Sequence, residues 1–180
     1  MNNFSKLKNK KVLITGGAGF IGSSLAIALV KLGAKVTVLD AMLSLYGGNM
    51  FDLHDIKDKI VFIKGDIRDK KLVVKLVKNK DIIFNLAAQV SYLDSKDLPF
   101  LDLDINAIGH LNVLEAMRRY NPKAKILFSS SRMVYGKILT KPVKESHPTN
   151  PLSIYGIHKL LAEKYYAYYH QAILMVRGSK

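Results

Sequence analysis

Residues 15–22 read Thr15-Gly16-Gly17-Ala18-Gly19-Phe20-Ile21-Gly22, a glycine-rich stretch between two apolar segments. The short β-branched run at 11–15 predicts a strand, and the helical apolar spacing of 20–32 predicts a helix. Glycines in such a turn let a pyrophosphate reach the amide groups at the start of the helix, whose dipole favours negative charge. The stretch therefore predicts a dinucleotide-binding turn, although taken alone it also fits an unrelated tight turn.

Asp40 supports this interpretation, because it closes a second predicted strand about 20 residues after the glycine turn. A carboxylate there can accept hydrogen bonds from the ribose hydroxyls of adenosine, but it would repel a 2′-phosphate, and no arginine follows nearby. We therefore expect NAD rather than NADP as the cofactor. The alternative is that Asp40 is a simple turn residue at the end of a strand.

The rest of the chain continues the alternation of strands and helices. Apolar runs predict further strands at 60–64, 81–86, 124–129 and 172–177, and helical patterns fall at 69–78, 101–120 and 153–171. The segment 43–49 is predicted as a loop, with a weak helix after it. Apolar runs of this kind are typical of a parallel sheet covered on both faces, so the predicted fold is a doubly wound α/β sheet in a single domain.

Small and polar residues follow the third and fourth predicted strands, at the end of the sheet where such folds bind ligands. Asp66 could hold the amino group of an adenine, although Gly-Asp is also a common turn pair. The segment from Asn85 to Gln89 has small residues where backbone passes close to a cofactor. The packing of a helix on the sheet explains these small residues equally well.

A hydroxyl, a phenol and an amine follow later in the chain. Ser131 ends the serine triplet after the fifth predicted strand, and Tyr155 and Lys159 share one face of the next helix. An ammonium group at this spacing would lower the pKa of the phenol, ordinarily about 10, so that Tyr155 could act as a general base. Ser131 could hold the reacting oxygen by hydrogen bonding. Such a pair alone also fits an ordinary helix face, but in this order with the preceding motifs it predicts a catalytic site.

These motifs occur in the order and spacing of a known family. They are TGGAGFIG at 15–22, LD at 39–40, GDI at 65–67, LAA at 86–88, Asn106, SSSRMVYG at 129–136 and YGIHK at 155–159. Over residues 11–177 the chain resembles the extended short-chain dehydrogenases/reductases, the family of nucleotide-sugar epimerases and dehydratases.

The resemblance implies that 1–180 is a Rossmann-type NAD-binding domain in which Tyr155 takes a proton from a sugar hydroxyl while hydride passes to NAD. Ser131 would steady that hydroxyl, and Lys159 would bind the nicotinamide ribose and lower the pKa of Tyr155. The residues expected to bind NAD are Gly16, Gly19, Phe20, Ile21, Gly22, Asp40, Asp66, Ile67, Leu86, Ala87, Ala88, Asn106, Tyr155 and Lys159. Those expected at the substrate are Gln89, Ser130, Ser131 and Arg132.

The residues after Ser131 favour one reaction of that family. Dehydratases carry an Asp-Glu pair there, whereas this chain has Arg132 and Met133. The leading prediction is therefore epimerisation of a nucleotide-diphosphate sugar at carbon 4 through a transient keto intermediate. A dehydratase, a reductase and a non-catalytic NAD-sensing protein remain alternatives. Arg132 could meet a substrate phosphate or a surface carboxylate, and Asn85 stands where many relatives carry histidine.

The resemblance also bears on domains and assembly. Family members continue for roughly as long again, and that part holds most of the sugar-nucleotide pocket. We therefore expect that the small substrate domain is absent from this chain, which could bind NAD without turnover. In relatives, the helices that match 101–120 and 153–171 form a dimeric four-helix bundle, which implies a homodimer.

Composition narrows the remaining classes. The net charge of +14 suggests nucleic acid, but the lysines of 69–80 lie opposite an apolar stripe, as on an ordinary solvated helix face, so we expect no nucleic-acid partner. Part of the charge could instead attract a diphosphate. The five histidines lack metal-ligand spacing, so no metal is expected. Without cysteine or an apolar run long enough to span a bilayer, the chain is predicted to be cytoplasmic and not membrane-bound.

Overall fold

The computed structural model describes residues 6–44, 46 and 48–178, with side chains described up to 171. Its five parallel strands form one sheet in the order β3-β2-β1-β4-β5. The strands are β1 (Lys11–Thr15), β2 (Lys35–Asp40), β3 (Ile60–Lys64), β4 (Ile82–Asn85) and β5 (Lys125–Phe128). The strand order reverses between β3 and β4, so β1 and β4 flank the switch point of a doubly wound sheet. The predicted fold class is confirmed.

Helices cover both faces of this sheet. They are α1 (Phe20–Lys31), α2 (Lys70–Val77), α3 (Asp94–Asp97), α4 (Pro99–Leu103), α5 (His110–Tyr120) and α6 (Ile154–Gly178), with 3₁₀ helices at Met50–Lys59 and Arg132–Val134. The predicted helix at 101–120 is divided by a π-helical turn, Asp104–Gly109. Leu45 and Gly47 of the predicted loop lie outside the described residues. Over the described part of the chain, no helix has the length and apolarity needed to cross a membrane.

The core is split by the sheet into two layers, and alternate residues of β1 supply both. Leu13 packs with residues of α2 and α5, whereas Val12 and Ile14 pack with residues of α1 and of the first 3₁₀ helix. All three are at most 1% exposed. This double burial explains why the strands appear in the sequence as continuous apolar runs rather than as alternating patterns.

The amino end of α1 lies against the end of β1 through backbone alone. A Cβ added at Gly22 would stand 2.2 Å from the carbonyl oxygen of Gly16 and 2.6 Å from the Cα of Gly17. No side chain fits at that distance, so the close approach requires glycine at residue 22. This contact sets where α1 begins relative to the sheet.

A buried polar cluster ties β1 and β4 to α5 and α6. Thr15 Oγ1 donates to Asn85 Oδ1 (2.5 Å), and the Asn85 amide lies 3.1 Å from His110 Nδ1 and donates to the Tyr166 hydroxyl (2.6 Å). The N–H and the carbonyl of Ala87 are also held: Ala87 N–H donates to Thr15 Oγ1 (3.2 Å), and Ala87 O lies 3.1 Å from His110 Nε2. Nε2 must donate to that carbonyl, and the Asn85 amide nitrogen can only donate, so Nδ1 accepts its hydrogen bond and the ring is neutral. His110 thus places a neutral imidazole directly beside Asn85.

The predicted strand at 172–177 is wrong, because α6 continues through Gly178. A short apolar run cannot by itself be assigned to a strand or a helix. This one contains Ala, Leu and Met, which favour helices, and no glycine or proline separates it from the residues before it. The helix therefore propagates through it.

We predict that His110 makes the fold sensitive to acid. Burial, followed by the charge of Lys159, lowers the pKa of His110 to about 3, whereas an unfolded histidine has a pKa of about 6.5. Below about pH 6.5 the unfolded chain binds a proton that the folded chain refuses, so this contribution to stability is lost as the pH falls. In His110→Gln, the free energy of unfolding should fall less steeply as the pH is lowered than it does in the unmodified protein. The two slopes should differ by up to about 1.4 kcal/mol per pH unit.

The measurement is urea unfolding at about pH 7 and about pH 5. His54→Gln, at a histidine whose side chain is 58% exposed, is the matched control and should keep the slope of the unmodified protein. Equal slopes in both variants would contradict the assignment to His110.

Candidate active site

A crevice of about 640 Å³, counted to its open mouth, lies at the carboxyl ends of β1 to β4. This is the edge of the sheet where doubly wound folds bind ligands. Many of the predicted cofactor residues line it: Gly16, Gly19, Asp40, Asp66, Ile67, Leu86, Ala87 and Ala88. The fold therefore gathers four separate segments of sequence around one cavity.

The glycine turn presents backbone to this crevice. A Cβ added at Gly19 would meet only Gly16 O, at 3.4 Å, so the surrounding protein leaves room for a side chain there. Within the described residues, α1 begins after Gly19 without a side-chain cap, and its first turn has no acidic residue. The free N–H groups and the positive end of the helix dipole are therefore available to an anion at the crevice.

The other predicted residues of the turn do not line the crevice. Phe20 and Ile21 begin α1 with side chains that are 87% and 62% exposed, which leaves their backbone N–H groups as the atoms available to a ligand. Gly22 is buried, and it packs against Gly16. Its part is to bring the helix close to the strand.

Asp40 joins the glycine turn to the loop after β2. One carboxylate oxygen accepts from the N–H of Ala18 (3.0 Å), and the other accepts from the N–H of Met42 (2.8 Å). Each oxygen keeps a second lone pair, so the carboxylate can still accept a hydrogen bond from a ligand in the crevice.

Asp66, at the end of β3, is held by Arg68. Its carboxylate accepts from the Arg68 N–H (2.8 Å) and from Arg68 Nη2 (2.7 Å). Burial raises the pKa of Asp66, but the hydrogen bonds and charge of Arg68 outweigh this effect, so the pKa lies below its usual value. Asp66 is therefore an ionised acceptor at the rim of the crevice.

Asn106 acts on the crevice through the loop after β4. Its side-chain oxygen accepts from the N–H of Gln89 (3.1 Å), and its amide donates to Gln89 O (2.9 Å). Asn106 and Gln89 are 0% and 1% exposed, and neither is among the residues that line the crevice. These bonds hold the loop that continues from Leu86 to Ala88.

Ser131 and Tyr155 meet beside this end of the sheet. Ser131 caps the 3₁₀ helix at Arg132–Val134, where its Oγ accepts from the N–H of Met133 (3.2 Å), and it is hydrogen-bonded to the Tyr155 side chain. Gly156 permits the contact, because a Cβ at Gly156 would lie 2.7 Å from Met133 O. The turn that carries Ser131 can therefore rest directly on the first turn of α6.

Lys159 is buried next to this pair and faces the end of β5. Its Nζ donates to Ser129 O (2.7 Å) and lies 4.3 Å from the centre of the Phe128 ring, and the residue is 3% exposed. Burial lowers the pKa of Lys159 to about 8, while the charges of Asp102 and Glu163 oppose that fall.

The predicted lowering of the Tyr155 pKa by Lys159 stays a prediction, because other groups shift this pKa in the present arrangement. Burial raises the pKa of Tyr155, the hydrogen bond with Ser131 opposes the rise, and Asp102 adds to it. In this arrangement the Lys159 ammonium group donates to Ser129 O (2.7 Å).

Two predicted substrate residues lie at the surface. Ser130 is exposed, and its hydroxyl donates to the Glu163 carboxylate on α6. Arg132 is also exposed, in the short 3₁₀ helix after Ser131. An exposed Arg132 fits both predicted roles, contact with a substrate phosphate and contact with a surface carboxylate.

Sequence reasoning missed three residues of this region. Tyr46 lines the crevice with a buried hydroxyl that has no hydrogen-bond partner among the described residues. Asp102 and His158 form a largely buried hydrogen-bonded pair, with Nδ1 and Oδ1 2.6 Å apart, although they are 56 residues apart in sequence. The position of His158 between Tyr155 and Lys159 could have indicated a role at this site, but a histidine on a helix is more often a surface residue.

Comparison with known proteins agrees with this geometry. Residues 13–177 match the family model described as GDP-mannose 4,6 dehydratase. The UDP-glucose 4-epimerase of Mycolicibacterium smegmatis is 38% identical over 158 residues, which are 86% of this chain and 50% of that protein. The chain thus spans about half the length of such curated relatives.

Solved structures share the fold over the same span. The UDP-N-acetylglucosamine 4-epimerase from Methanobrevibacter ruminantium, in complex with UDP-N-acetylmuramic acid, superposes with a TM-score of 0.84 and 35% identity, over 92% of this chain and 52% of that one. For the UDP-glucose 4-epimerase of Thermus thermophilus, in complex with NAD, the TM-score is 0.80 and the identity 33%, over 91% and 51%. The chain therefore belongs to the GDP-mannose 4,6 dehydratase family, within the extended short-chain dehydrogenases/reductases that its motifs resemble.

Proposed function

We propose that this chain is the NAD-binding domain of a nucleotide-sugar 4-epimerase and carries its catalytic base, Tyr155. The observation that carries the proposal is the hydrogen-bonded pair of Ser131 and Tyr155, with Lys159 one helical turn away. This pair lies beside a crevice in which the glycine turn at 16–19 presents backbone to a ligand. The named relatives include enzymes that epimerise nucleotide sugars at carbon 4.

The crevice has the features that NAD requires. The open space at Gly19 and the free helix N-terminus suit the pyrophosphate, and Asp40 suits the adenosine ribose. The buried hydroxyl of Tyr46, which lacks a partner among the described residues, can be satisfied by a polar ligand in the crevice. When bound, NAD supplies the group that accepts and returns hydride.

The residues of the chain provide the proton transfer. Tyr155 takes a proton from the sugar hydroxyl and later returns it, and Ser131 holds that hydroxyl in place. In the present arrangement the raised pKa of Tyr155 keeps the phenol protonated near neutral pH. For Lys159 to stabilise the phenolate, its ammonium group must turn from Ser129 O toward the phenol, which the long lysine side chain permits.

Epimerisation is favoured over dehydration by the residues after Ser131. Elimination of water needs an acid near the sugar, and the positions where dehydratases carry an Asp-Glu pair hold Arg132 and Met133. Epimerisation needs no further carboxylate, because hydride can return to the other face of the keto intermediate. We place the rest of the sugar-nucleotide pocket in the second half of the relatives, which this chain does not match.

We predict that Gly19→Ala weakens NAD binding at least about tenfold, because the added methyl group enters the space assigned to the pyrophosphate. Calorimetric titration with NAD measures the dissociation constant. The free energy of unfolding should change by no more than about 0.5 kcal/mol, since nothing crowds the methyl group. Gly22→Ala is the contrasting variant and should lose about 1–3 kcal/mol of stability, because its methyl group overlaps Gly16 O. If Gly19→Ala bound NAD as tightly as the unmodified chain, the assignment of the space at Gly19 to the pyrophosphate would be wrong.

We predict that Tyr155→Phe lowers turnover by about 10²- to 10⁴-fold while NAD binding remains, because only the acid–base group is lost. The assay follows conversion of UDP-glucose to its 4-epimer. It uses both this chain and the complete open reading frame that contains it, since the relatives are about twice as long. Tyr168→Phe, at a tyrosine 67% exposed, is the control and should keep full activity. A complete protein that binds NAD but converts no nucleotide sugar would favour the NAD-sensing alternative.

We also propose a homodimer through the helical surface near α5 and α6, where Ile108 and Ile157 are 41% and 50% exposed. Ile157→Lys should shift the sedimentation coefficient to that of a monomer, because a charge replaces apolar contact area. Val61→Lys, at an exposed position on β3, should leave the assembly unchanged. Monomeric behaviour of the unmodified protein at micromolar concentration would refute the dimer.

A further inference from the structure

Asp102 on α4 is a carboxylate that the fold buries completely, with 0% exposure. Its Oδ1 lies 2.6 Å from His158 Nδ1, and its Oδ2 accepts from the Asn106 amide (3.1 Å). His158 is itself largely buried, with 13% of its side chain exposed. A charge in this position is costly unless it is paired, and a well-packed apolar pair would tie α4 to α6 at least as well. We therefore look for an electrostatic role that explains why a carboxylate is buried at this position.

The surroundings of Asp102 supply that explanation. His158 stands between Tyr155 and Lys159 on α6, and the charge of Asp102 acts on both of those residues. The Asp102 charge raises the pKa of Lys159, whereas burial lowers that pKa. The same charge raises the pKa of Tyr155, where burial has the larger effect in the same direction. Glu163 on α6 supports the lysine in the same sense, and His110 on α5 faces it as a neutral ring.

We propose that Asp102 is a positioning residue, whose buried carboxylate keeps Lys159 an ammonium ion while His158 and Asn106 hold that carboxylate in place. A buried lysine with no negative charge nearby tends to give up its proton. A neutral amine could not stabilise the phenolate of Tyr155, and its hydrogen bond to Ser129 O would be weaker. The catalytic meaning of Asp102 rests on the proposed function, but its electrostatic action concerns this chain alone.

The same residues extend from the catalytic helix to the crevice. Asp102 accepts from Asn106, and Asn106 holds both the N–H and the carbonyl of Gln89 in the loop after β4. Asp102 therefore joins His158, the neighbour of Lys159 on α6, and the loop that continues from Leu86 to Ala88 in one hydrogen-bonded network.

The test is an NMR titration of this chain labelled with [13Cζ]tyrosine and [13Cε]lysine. Lys159→Met and Tyr155→Phe assign the two resonances. In the unmodified chain the Lys159 midpoint is expected at a pKa of about 8. In Asp102→Asn it should fall by about one pH unit or more, and the Tyr155 midpoint should fall with it, because the negative charge is lost while the size of the side chain is kept.

Two controls separate charge from structure. Asp104→Asn removes an exposed carboxylate two residues away and should leave both midpoints where they are. His158→Asn keeps the carboxylate and a hydrogen-bond donor near Nδ1, so the Lys159 midpoint should stay or rise. If Asp102→Asn does not fold, Asp102→Asn/His158→Asn leaves two amides able to bond to each other, and its Lys159 midpoint should also fall.

An unchanged Lys159 midpoint in the folded Asp102 variant, or an equal fall in Asp104→Asn, would overturn the proposal. Calorimetry with NAD on the same samples keeps the two ideas apart. A chain that binds no NAD but shows the shifted midpoint contradicts the proposed function and supports the action of Asp102. A chain that binds NAD but shows no shift of the Lys159 midpoint supports the proposed function and contradicts the action of Asp102.

Discussion

The amino end of α1 touches the end of β1 through backbone atoms, and the geometry of the crevice depends on that contact. Gly22 lies so close to Gly16 that even a methyl group would overlap its carbonyl oxygen. The contact brings the free N–H groups of the helix to the carboxyl edge of the sheet. Because the strands are parallel, the residues after β2, β3 and β4 reach the same edge. The close approach of α1 and the parallel strand order thus bring four separate segments around one crevice.

Buried polar contacts hold the rest of the site at the correct distance from this crevice. Thr15 and His110 fix the N–H and the carbonyl of Ala87, and Asn106 fixes Gln89 in the same loop. On the other side, Gly156 lets the turn that carries Ser131 rest against α6. These contacts are neutral hydrogen bonds or close packing, which maintain a fixed geometry without a large desolvation cost. The buried carboxylate of Asp102 is different, because its charge carries a desolvation cost and acts on Tyr155 and Lys159.

The sequence predicted the local elements well where a pattern carried its own physical cause. The glycine turn, the strand ending at Asp40 and the helix bearing Tyr155 and Lys159 follow from apolar periodicity and from residues that only a turn requires. It failed at 172–177, where an apolar run of helix-forming residues has no breaker before it. Nothing in the sequence indicated that His110 lies against Asn85, because the two positions are 25 residues apart and meet only in the folded core.

By itself, then, the sequence determined the doubly wound sheet, the turn at its first strand and the presence of a serine, a tyrosine and a lysine in family order. Those features were inferred from apolar periodicity, turn residues and motif order, all of which spacing and residue type describe. The tertiary structure alone decided where the charges act: Lys159 binds Ser129 O, burial raises the pKa of Tyr155, and Asp102 pairs with His158. Electrostatic energy depends on burial and on through-space distance, and neither quantity can be read from the order of residues along a chain.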